Sequence, residues 1–446
     1  MKILVIGEVF LDENVVGISE RLSPESPVPI LTNCKTTEHL GGAANVAKNI
    51  SSLGCDVSLL TLFADDIYGR EIKNKLSNYN VSIINSNTFP TKTIRKIRYL
   101  VKNQQLLRQD IEEKFDKLSS EYITNLLYSI CQRFDMIVIS DYNKGLLSTL
   151  VTNRLKSIKP SLIILLDSKS VSKKLIDGST LYKPNSHEFN QIIGNLSNEL
   201  TNDLTSINDK INIFYENFSP LNLLLTLGDE GSILVINSNG NKQQFNLPVY
   251  KRDVYDVTGA GDTVLSVLAV CLAQNISLED SAKRANYIAS KSVMFQGTYT
   301  PTKQDLIDSS CLKIFTNGCF DVLHLGHIKL LKYSKSLGTK LIIGLNSDES
   351  VRRLKGESRP YNTVSIRKEI LENIKHVDEV IIFDEDTPYE LIKKIQPNII
   401  VKGGDYEQHS VVGKDIVESM GGRVEIFPYI EHYSTTLLSN KIINNQ

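Results

Sequence analysis

The sequence has almost no excess of charge. Its 446 residues carry 50 Lys and Arg against 51 Asp and Glu, a formal net charge of −1. That balance provides no bulk basic field for nucleic acid. Cysteine is sparse and unpatterned: Cys34, Cys55, Cys131, Cys271, Cys311 and Cys319 form no C-x-x-C pair. Such spacing favours free thiols in a reducing cytoplasm over a disulfide or zinc framework. Long apolar runs are missing too, and none is long enough to span a bilayer. Glu8 cuts the first apolar stretch short. Lys2 to Ile6 is therefore expected as a strand and not as a signal peptide. There is no internal repeat and no low-complexity tract. What remains is ordinary for a soluble globular protein, 41% hydrophobic and 23% charged. The length exceeds one ordinary core, so two or three domains are expected.

The most telling stretch is Asp256-Val-Thr-Gly-Ala-Gly-Asp-Thr263. Gly259, Ala260 and Gly261 let backbone approach a ligand closely. Val264 to Leu272 follows with helical length, so the loop feeds a helix N-terminus, which favours an anion. Asp262 sits at the same end. A carboxylate there is poorly placed to bind phosphate and well placed to deprotonate a hydroxyl that attacks phosphate. Taken alone, G-A-G-D is more simply a glycine turn with a capping Asp.

Other segments point the same way. Asp12 is expected just past the first strand, where open α/β sheets bind ligands. Ser23 to Pro29 is a proline-set loop that cannot be central strand. Gly41-Gly-Ala-Ala-Asn-Val-Ala47 opens a helix that stops at Gly54, a plausible C′ glycine. Gly42 allows close approach of a polyol, and Asn45 offers both a donor and an acceptor to hydroxyls. Thr93 to Lys102 carries Arg95, Lys96 and Arg98, and runs into Asn103 to Asp110 with Gln105 and Arg108. This is either an exposed sheet face or a lid over a phosphorylated sugar. Buried strands are expected at Phe134–Ser140 and Leu162–Leu166, ending in Asp141-Tyr-Asn-Lys144 and Asp167-Ser-Lys169. Polar groups recurring after strand ends describe a doubly wound site. Asn185 and Glu188 share one helix face, although a capping Asn at a helix start would look the same. Leu221 to Leu227 is an apolar strand that ends at Gly228.

D-V-T-G-A-G-D-T resembles the second signature of the ribokinase-like sugar kinases, and G-G-A-A-N-V-A resembles the first. With S-P-E-S-P-V-P, N-Q-Q-L-L-R and S-D-Y-N-K-G, the stretch looks most like the heptose 7-phosphate kinase branch. The resemblance implies a doubly wound sheet with a small β lid. It implies Asn185 and Glu188 around the magnesium and phosphate, Glu188 as metal ligand, and nucleotide near Gly228. It implies an already phosphorylated sugar, for which the basic cluster and Lys144 are candidate partners.

The second part begins with strand Lys313–Asn317, then Gly318-Cys-Phe-Asp-Val-Leu-His-Leu-Gly-His327 and a helix to about Leu337. His324 and His327 share a helix face as metal ligands would, but no Cys or carboxylate completes a site. A helix N-terminus with Gly326 suits a phosphate chain instead. T-N-G-C-F-D-x-L-H-x-G-H resembles the signature of the cytidylyltransferase-like nucleotidyltransferases. Arg352 to Pro360 is expected as a basic, mobile loop; by that resemblance Lys355 and Arg359 clamp triphosphate. Tyr433-Ser-Thr-Thr436 is expected to open a final helix, with Ser434, Thr435 and Thr436 as an anion pocket. With V-K-G-G-D-Y, the order looks like a heptose 1-phosphate adenylyltransferase in a smaller Rossmann-like domain.

The expected organisation is a kinase domain over 1–302, a short linker over 303–310 and a nucleotidyltransferase domain over 311–446. The resemblance implies a cytoplasmic enzyme of ADP-heptose synthesis for the lipopolysaccharide core. It would use Mg²⁺ with ATP, act on small heptose phosphates and form a homodimer. Asp12, Gly42, Asn45, Gln105, Arg108, Asp141 and Lys144 are the expected sugar-binding residues. The same folds could act on another sugar phosphate or nucleobase. A NAD-dependent dehydrogenase fits poorly, because Val264 stands where the third glycine of G-x-G-x-x-G is required. Decayed folds kept for regulation or assembly fit poorly with an intact Asp262 and both histidines.

Overall fold

A computed structural model describes residues 1–84, 92–101, 104–196, 206–238, 240–247, 250, 253–310, 312–404, 410–420 and 422–428, and the backbone of 88–89. The chain divides into two compact units, the first of residues 1–249 and 253–306 and the second of residues 250–252 and 307–446.

The first unit is built on nine strands. Their order is Asn241–Leu247, Ser232–Ser238, Asn222–Thr226, Leu181–Tyr182, Ile163–Ser168, Met136–Asp141, Ile3–Gly7, Val57–Leu60 and Ser82–Ile83. The last seven are parallel, and the first two form an antiparallel edge. The central strands are near-continuous apolar runs because both faces of the sheet are covered. Alternate side chains fill two cores. Ile3, Val5, Met136 and Val138 enter one, with the helices Ala43–Ser52, Ala260–Ala273 and Leu278–Ser292. Leu4, Ile6, Ile137 and Ile139 enter the other, with Lys117–Ile130, Ser186–Leu196 and Ile207–Asn217. This is the doubly wound sheet expected from the sequence.

A separate four-stranded sheet runs Thr32–Gly42, Val9–Ile18, Ile94–Val101, Gln104–Ile111. It is the small β lid. Asp12, expected just past the first strand, lies inside the next one, Val9–Ile18, and so belongs to this lid. Only Glu8 separates the two strands, so the chain passes straight from the main sheet into the lid. Gly54 follows the helix Ala43–Ser52 with φ 96°, as the C′ reading required.

Residues 303–310, expected as a linker, form the helix Lys303–Ser310. Asp305 explains it. The Thr302 amide donates to its carboxylate at 2.7 Å, and its own amide donates to the Thr302 hydroxyl at 3.2 Å. That reciprocal cap starts a helix. Lys291 and Tyr299 also hold the Asp305 carboxylate.

The second unit has a fully parallel sheet in the order Glu379–Phe383, Lys340–Asn346, Lys313–Gly318, Ile399–Gly403, Arg423–Phe427. The order reverses beside its first strand, so a crevice is expected beyond Gly318. The basic stretch is not all loop. Arg352 to Lys355 is the last turn of the helix Asp348–Lys355, which ends at Gly356. Three cations there complement the helix dipole.

Two candidate active sites

In the first unit, four parallel strands deliver polar groups to one rim. Glu8 follows Ile3–Gly7, Tyr142 follows Met136–Asp141, Asp167 closes Ile163–Ser168, and Lys183 follows Leu181–Tyr182. The helix Ala260–Ala273 begins with Gly259 as its N-cap, at φ 78° and ψ 3°. A Cβ there would stand 3.1 Å from Asn45 Nδ2 and from Thr298 Cγ2. Glycine is therefore required for both conformation and space.

Asp262 lies in the first turn of that helix and is 5% exposed. Asn45 Nδ2 donates to its Oδ2 at 2.8 Å, and the Tyr142 hydroxyl donates to its Oδ1 at 3.2 Å. Burial pushes its pKa up to about 6, while the Asn45 hydrogen bond holds it down and Asp167 and Asp12 add to the rise. Asp262 is thus an ionised carboxylate at neutral pH with more basicity than an ordinary Asp.

Lys183 is buried, and its ammonium meets Asp167 Oδ2 at 2.8 Å. A Cβ on Gly261 would be 3.6 Å from the same nitrogen. A fixed cation therefore stands beside the small-residue turn Gly259–Ala260–Gly261. Burial lowers its pKa, but Asp167 outweighs that and holds it above the usual lysine range. Lys48, on the Asn45 helix, is pulled down to about 8 by burial, against the pull of Asp262.

Asn185 and Glu188 form a capping box on the helix Ser186–Leu196. The Glu188 amide donates to Asn185 Oδ1 at 2.8 Å, and the Asn185 amide donates to Glu188 Oε2 at 2.9 Å. Burial and then Asp167 raise the Glu188 pKa, so the two carboxylates feel one another. Gly228 opens a single 3₁₀ turn at φ 64°, with nothing within 4 Å of an added Cβ.

The lid adds Asp12, whose Oδ1 accepts from Arg98 at 2.6 Å. A Cβ on Gly41 would stand 2.2 Å from the Phe10 ring and 2.7 Å from Asp12 Oδ2, so lid and helix start touch directly there. Its neighbour Gly42, at φ 60°, is the N-cap of the Asn45 helix. Asn14 Oδ1 and Asn45 Oδ1 are buried and unpartnered. Asp141 is also buried, but its oxygens are occupied by Ser168 Oγ at 2.5 Å and the Asn143 amide at 3.0 Å. Glu8 accepts the amides of Tyr142 and Lys144 at 2.8 and 3.1 Å, which fixes that loop. Lys144 itself pairs with Glu112. Gln105 and Arg108 lie on the exposed edge strand, where Arg108 pairs with Asp110 at 2.9 Å. Neither is hydrogen-bonded to the Asp262 group among the described residues.

Reading the sequence missed Tyr142, Lys183 and Asn14 as site residues. The first two immediately follow apolar strands, the signal that singled out Asp141 and Asp167. Asn14 gave no such signal, because it lies in the middle of the strand Val9–Ile18 and not at a strand end.

In the second unit, His324 is the N-cap of the helix Leu325–Ser336 and His327 its third residue. The rings stack with centroids 3.8 Å apart. The His324 amide approaches His327 Nδ1 at 3.4 Å, which leaves the ring proton of a neutral His327 on Nε2. Burial, then His324, pull the His327 pKa down to about 4. His324 is lowered by burial as well. Both rings are neutral at pH 7 and donate as N–H groups, not as cations. Thr316 Oγ1, Asn317 Oδ1 and His324 Nδ1 are buried without partners at this sheet edge. Phe320 holds φ 46° between them, a conformation uncommon for an aromatic residue.

Arg359 NH1 donates to Asp321 Oδ2 at 2.6 Å. Asp321 Oδ1 also accepts the amides of Tyr361 and Asn362 at 2.8 and 2.9 Å, tying the Arg359 loop to the histidine loop. Arg367, unmarked in the sequence, is fully buried and donates to the carbonyls of Cys319, Asn346 and Asn362 and to Asp348. Lys355 stands exposed at its helix end. Ser434, Thr435 and Thr436 lie outside the described residues. No helix among the described residues is long and apolar enough to cross a membrane.

Comparison with known proteins agrees with this fold. Residues 1–305 match the pfkB family of carbohydrate kinases, and residues 315–442 match the cytidylyltransferase-like family. The first unit shares its fold with ribokinase from Thermotoga maritima (TM-score 0.53, 18% identity, 69% of this chain and 98% of that one). It also resembles phosphofructokinase-2 from Escherichia coli (TM-score 0.54, 17% identity, 69% and 97%). Over the whole length, the chain is 36% identical to the bifunctional protein HldE of Trichlorobacter lovleyi, covering 99% of this chain and 96% of that protein. The HldE protein of Histophilus somni is equally similar, at 36% over 99% and 97%. The chain therefore belongs to the bifunctional HldE family, with a pfkB-type carbohydrate kinase unit followed by a cytidylyltransferase-like unit.

Proposed function

We propose that Asp262 and His324–His327 run two separate reactions, one needing a base and the other needing none. In the first, Asp262 takes the proton from the anomeric hydroxyl of D-glycero-β-D-manno-heptose 7-phosphate as that oxygen attacks the γ-phosphate of ATP. Asn45 and Tyr142 aim the carboxylate. The amides of Gly259, Ala260 and Gly261 and the Lys183 ammonium hold the charge that develops on the transferring group. Asp12, Gly42 and Asn45, with the unpartnered Asn14 Oδ1, face the sugar hydroxyls. Asp141, already held by Ser168, shapes the wall behind them. Gln105, Arg108 and Lys144 remain candidate contacts only when the lid closes over the sugar, and Gly228 borders the nucleotide.

Both families use ATP with magnesium. Among the described residues, no group of three His, Cys, Asp or Glu could hold an ion by itself. An ion that arrives on ATP needs only one or two carboxylates besides phosphate oxygens. Asp167 and Glu188, close enough to repel one another, fit that need. Asn185 fixes Glu188 for it. When bound, the ion neutralises charge on the β- and γ-phosphates.

In the second reaction the sugar 1-phosphate attacks the α-phosphate of a second ATP, and pyrophosphate leaves. The attacking oxygen is already ionised, so no protein nucleophile is required. His324 and His327 donate to the α-phosphate region as its charge builds. Lys355 and Arg359 clamp the departing phosphates, and Ser434, Thr435 and Thr436 complete the anion pocket. The kinase product carries two phosphates, so a separate phosphatase acts between the steps. On this reading residues 1–302 hold the kinase site and residues 311–446 the transferase site, in a homodimeric, cytoplasmic enzyme.

The observation that carries this reading is the buried Asp262, held by Asn45 and Tyr142 at a helix N-terminus beside Lys183. The test is incubation with ATP, Mg²⁺ and heptose 7-phosphate, with and without the phosphatase, and identification of products by mass. Heptose bisphosphate alone without phosphatase, and ADP-heptose with it, are the expected outcomes. No phosphorylated product in either tube would sink the reading.

A further inference from the structure

The basic residues near the kinase site are not equivalent. Side chains on a strand alternate between faces. Arg95 therefore points away from the face that carries Phe10, Asp12, Lys96 and Arg98, and it pairs with Glu13 and covers Tyr68. On the facing side, Arg98 is paired with Asp12, Arg108 with Asp110, and Lys144 with Glu112. Lys96 and Lys169 form no ion pair among the described residues. Lys96 Nζ lies 4.0 Å from the Phe10 ring centre and 4.8 Å from that of Tyr142. Lys169 Nζ lies 4.1 Å from the Tyr142 ring centre.

We propose that Lys96 and Lys169 clamp the phosphate of the sugar substrate, across the Tyr142 ring from the reacting hydroxyl at Asp262. This rests on the kinase reading above and names which cations select a phosphorylated sugar. Two ammoniums gathered on one aromatic ring repel each other, and the carboxylates near them, Asp12 and Asp110 beside Lys96 and Asp141 and Glu188 toward Lys169, are already engaged by arginines or by hydroxyl and amide donors. A dianionic phosphate monoester supplies the missing charge and accepts from both. The Tyr142 hydroxyl meets Asp262 while its ring meets both ammoniums, so one phenol stands between the base and the clamp. The lid strand carries Lys96, and the main sheet carries Lys169 just beyond Ser168, its amide held by the Asp141 carbonyl at 3.0 Å. A phosphate bridging them ties the lid to the sheet.

The test has two arms. Kinase rates are measured for Lys96→Gln and Lys169→Gln with heptose 7-phosphate and with heptose lacking the phosphate. The KM for the 7-phosphate rises on the order of tenfold or more in each, kcat at saturation changes much less, and the preference over the unphosphorylated sugar collapses. Variants that keep the wild-type preference would overturn the proposal. In the second arm the wild-type protein is acylated at lysine and mapped by mass spectrometry. Heptose 7-phosphate, but not heptose, protects Lys96 and Lys169; no protection also overturns the clamp. Protection without any phosphoryl transfer would condemn the kinase reading and leave the clamp standing. Lys169 is exposed, so its variant folds even if Lys96→Gln does not.

Discussion

Replacing Asp262 with Asn separates catalysis from stability. The folded pKa of Asp262 is about 6 against an ordinary value of 3.8. A folded state with the higher pKa binds its proton more tightly than the unfolded chain does. Stability therefore falls as pH rises from about 4 to about 6 and stays lower above that window. A difference of that size between the folded and unfolded pKa corresponds to about 3 kcal/mol. The Asp262→Asn substitution would remove that penalty while keeping the shape. The carbonyl of the new amide can accept from Asn45, and its NH₂ group can donate to the Tyr142 oxygen. Lys48 and Lys183 lose a favourable neighbour, which offsets part of the gain. A net gain of about 1–3 kcal/mol at pH 8 remains, or roughly 2–6 °C in the unfolding midpoint of the kinase unit.

Catalysis moves the other way. Loss of a general base removes a factor on the order of 10² to 10⁴. The measurements are ADP release with heptose 7-phosphate and thermal unfolding of both proteins from pH 4 to pH 8. The expected pattern is a variant nearly inactive as a kinase, more stable at pH 8 and no more stable at pH 4. Near-native turnover would refute the base assignment. A variant less stable at pH 8 would refute the electrostatic account of the site.

Tyr142→Phe deletes a donor to Asp262, so the carboxylate becomes harder to ionise. The acid limb of kcat/KM for the kinase should move to higher pH, and an unmoved limb would remove Tyr142 from the aiming group. His327→Ala should abolish adenylyl transfer, assayed as pyrophosphate release from ATP and heptose 1-phosphate, and spare phosphorylation of heptose 7-phosphate. Ordinary adenylylation by that variant would count against the H-x-G-H site. A fragment beginning at Ser310 should fold and form ADP-heptose from the 1-phosphate. An insoluble fragment would contradict the proposed division.

Much of the architecture could be read from the chain because it is written locally. Apolar runs such as Met136 to Ile139 have the length of buried strands, and glycine turns mark where they stop. That Asp12 sits on a lid strand was hidden for a local reason as well. Only Glu8 separates two strands belonging to different sheets, and no turn signal marks so short a passage. The linker that proved to be helix shows the same limit. Its start depends on one carboxylate, Asp305, that caps Thr302 while also binding Lys291 and Tyr299. Pairings across long separations were not legible at all. Asn45 meets Asp262 across 217 residues and Tyr142 meets it across 120. Glu8 sets the Tyr142 backbone from 134 residues away.

The partitioning of charge decides which motif residues can act. In the lid, Arg95, Arg98 and Arg108 look interchangeable in the sequence, yet each is already neutralised by a carboxylate on a neighbouring or the same strand. An arginine so engaged must break a bidentate or short contact before it can take a ligand phosphate. Lys183 differs, because its partner Asp167 keeps it charged beside the turn where phosphate would lie, instead of drawing it away. The second unit follows a different rule. His324 and His327 are stacked and pulled toward neutrality by burial, so they offer neutral N–H donors, and the fixed positive charge of that unit is left to Lys355 and Arg359. The base proposed for the kinase has to be anionic at a working pH near 7, and burial pushes Asp262 up only to about 6, so it is ionised there, while burial keeps the two imidazoles neutral.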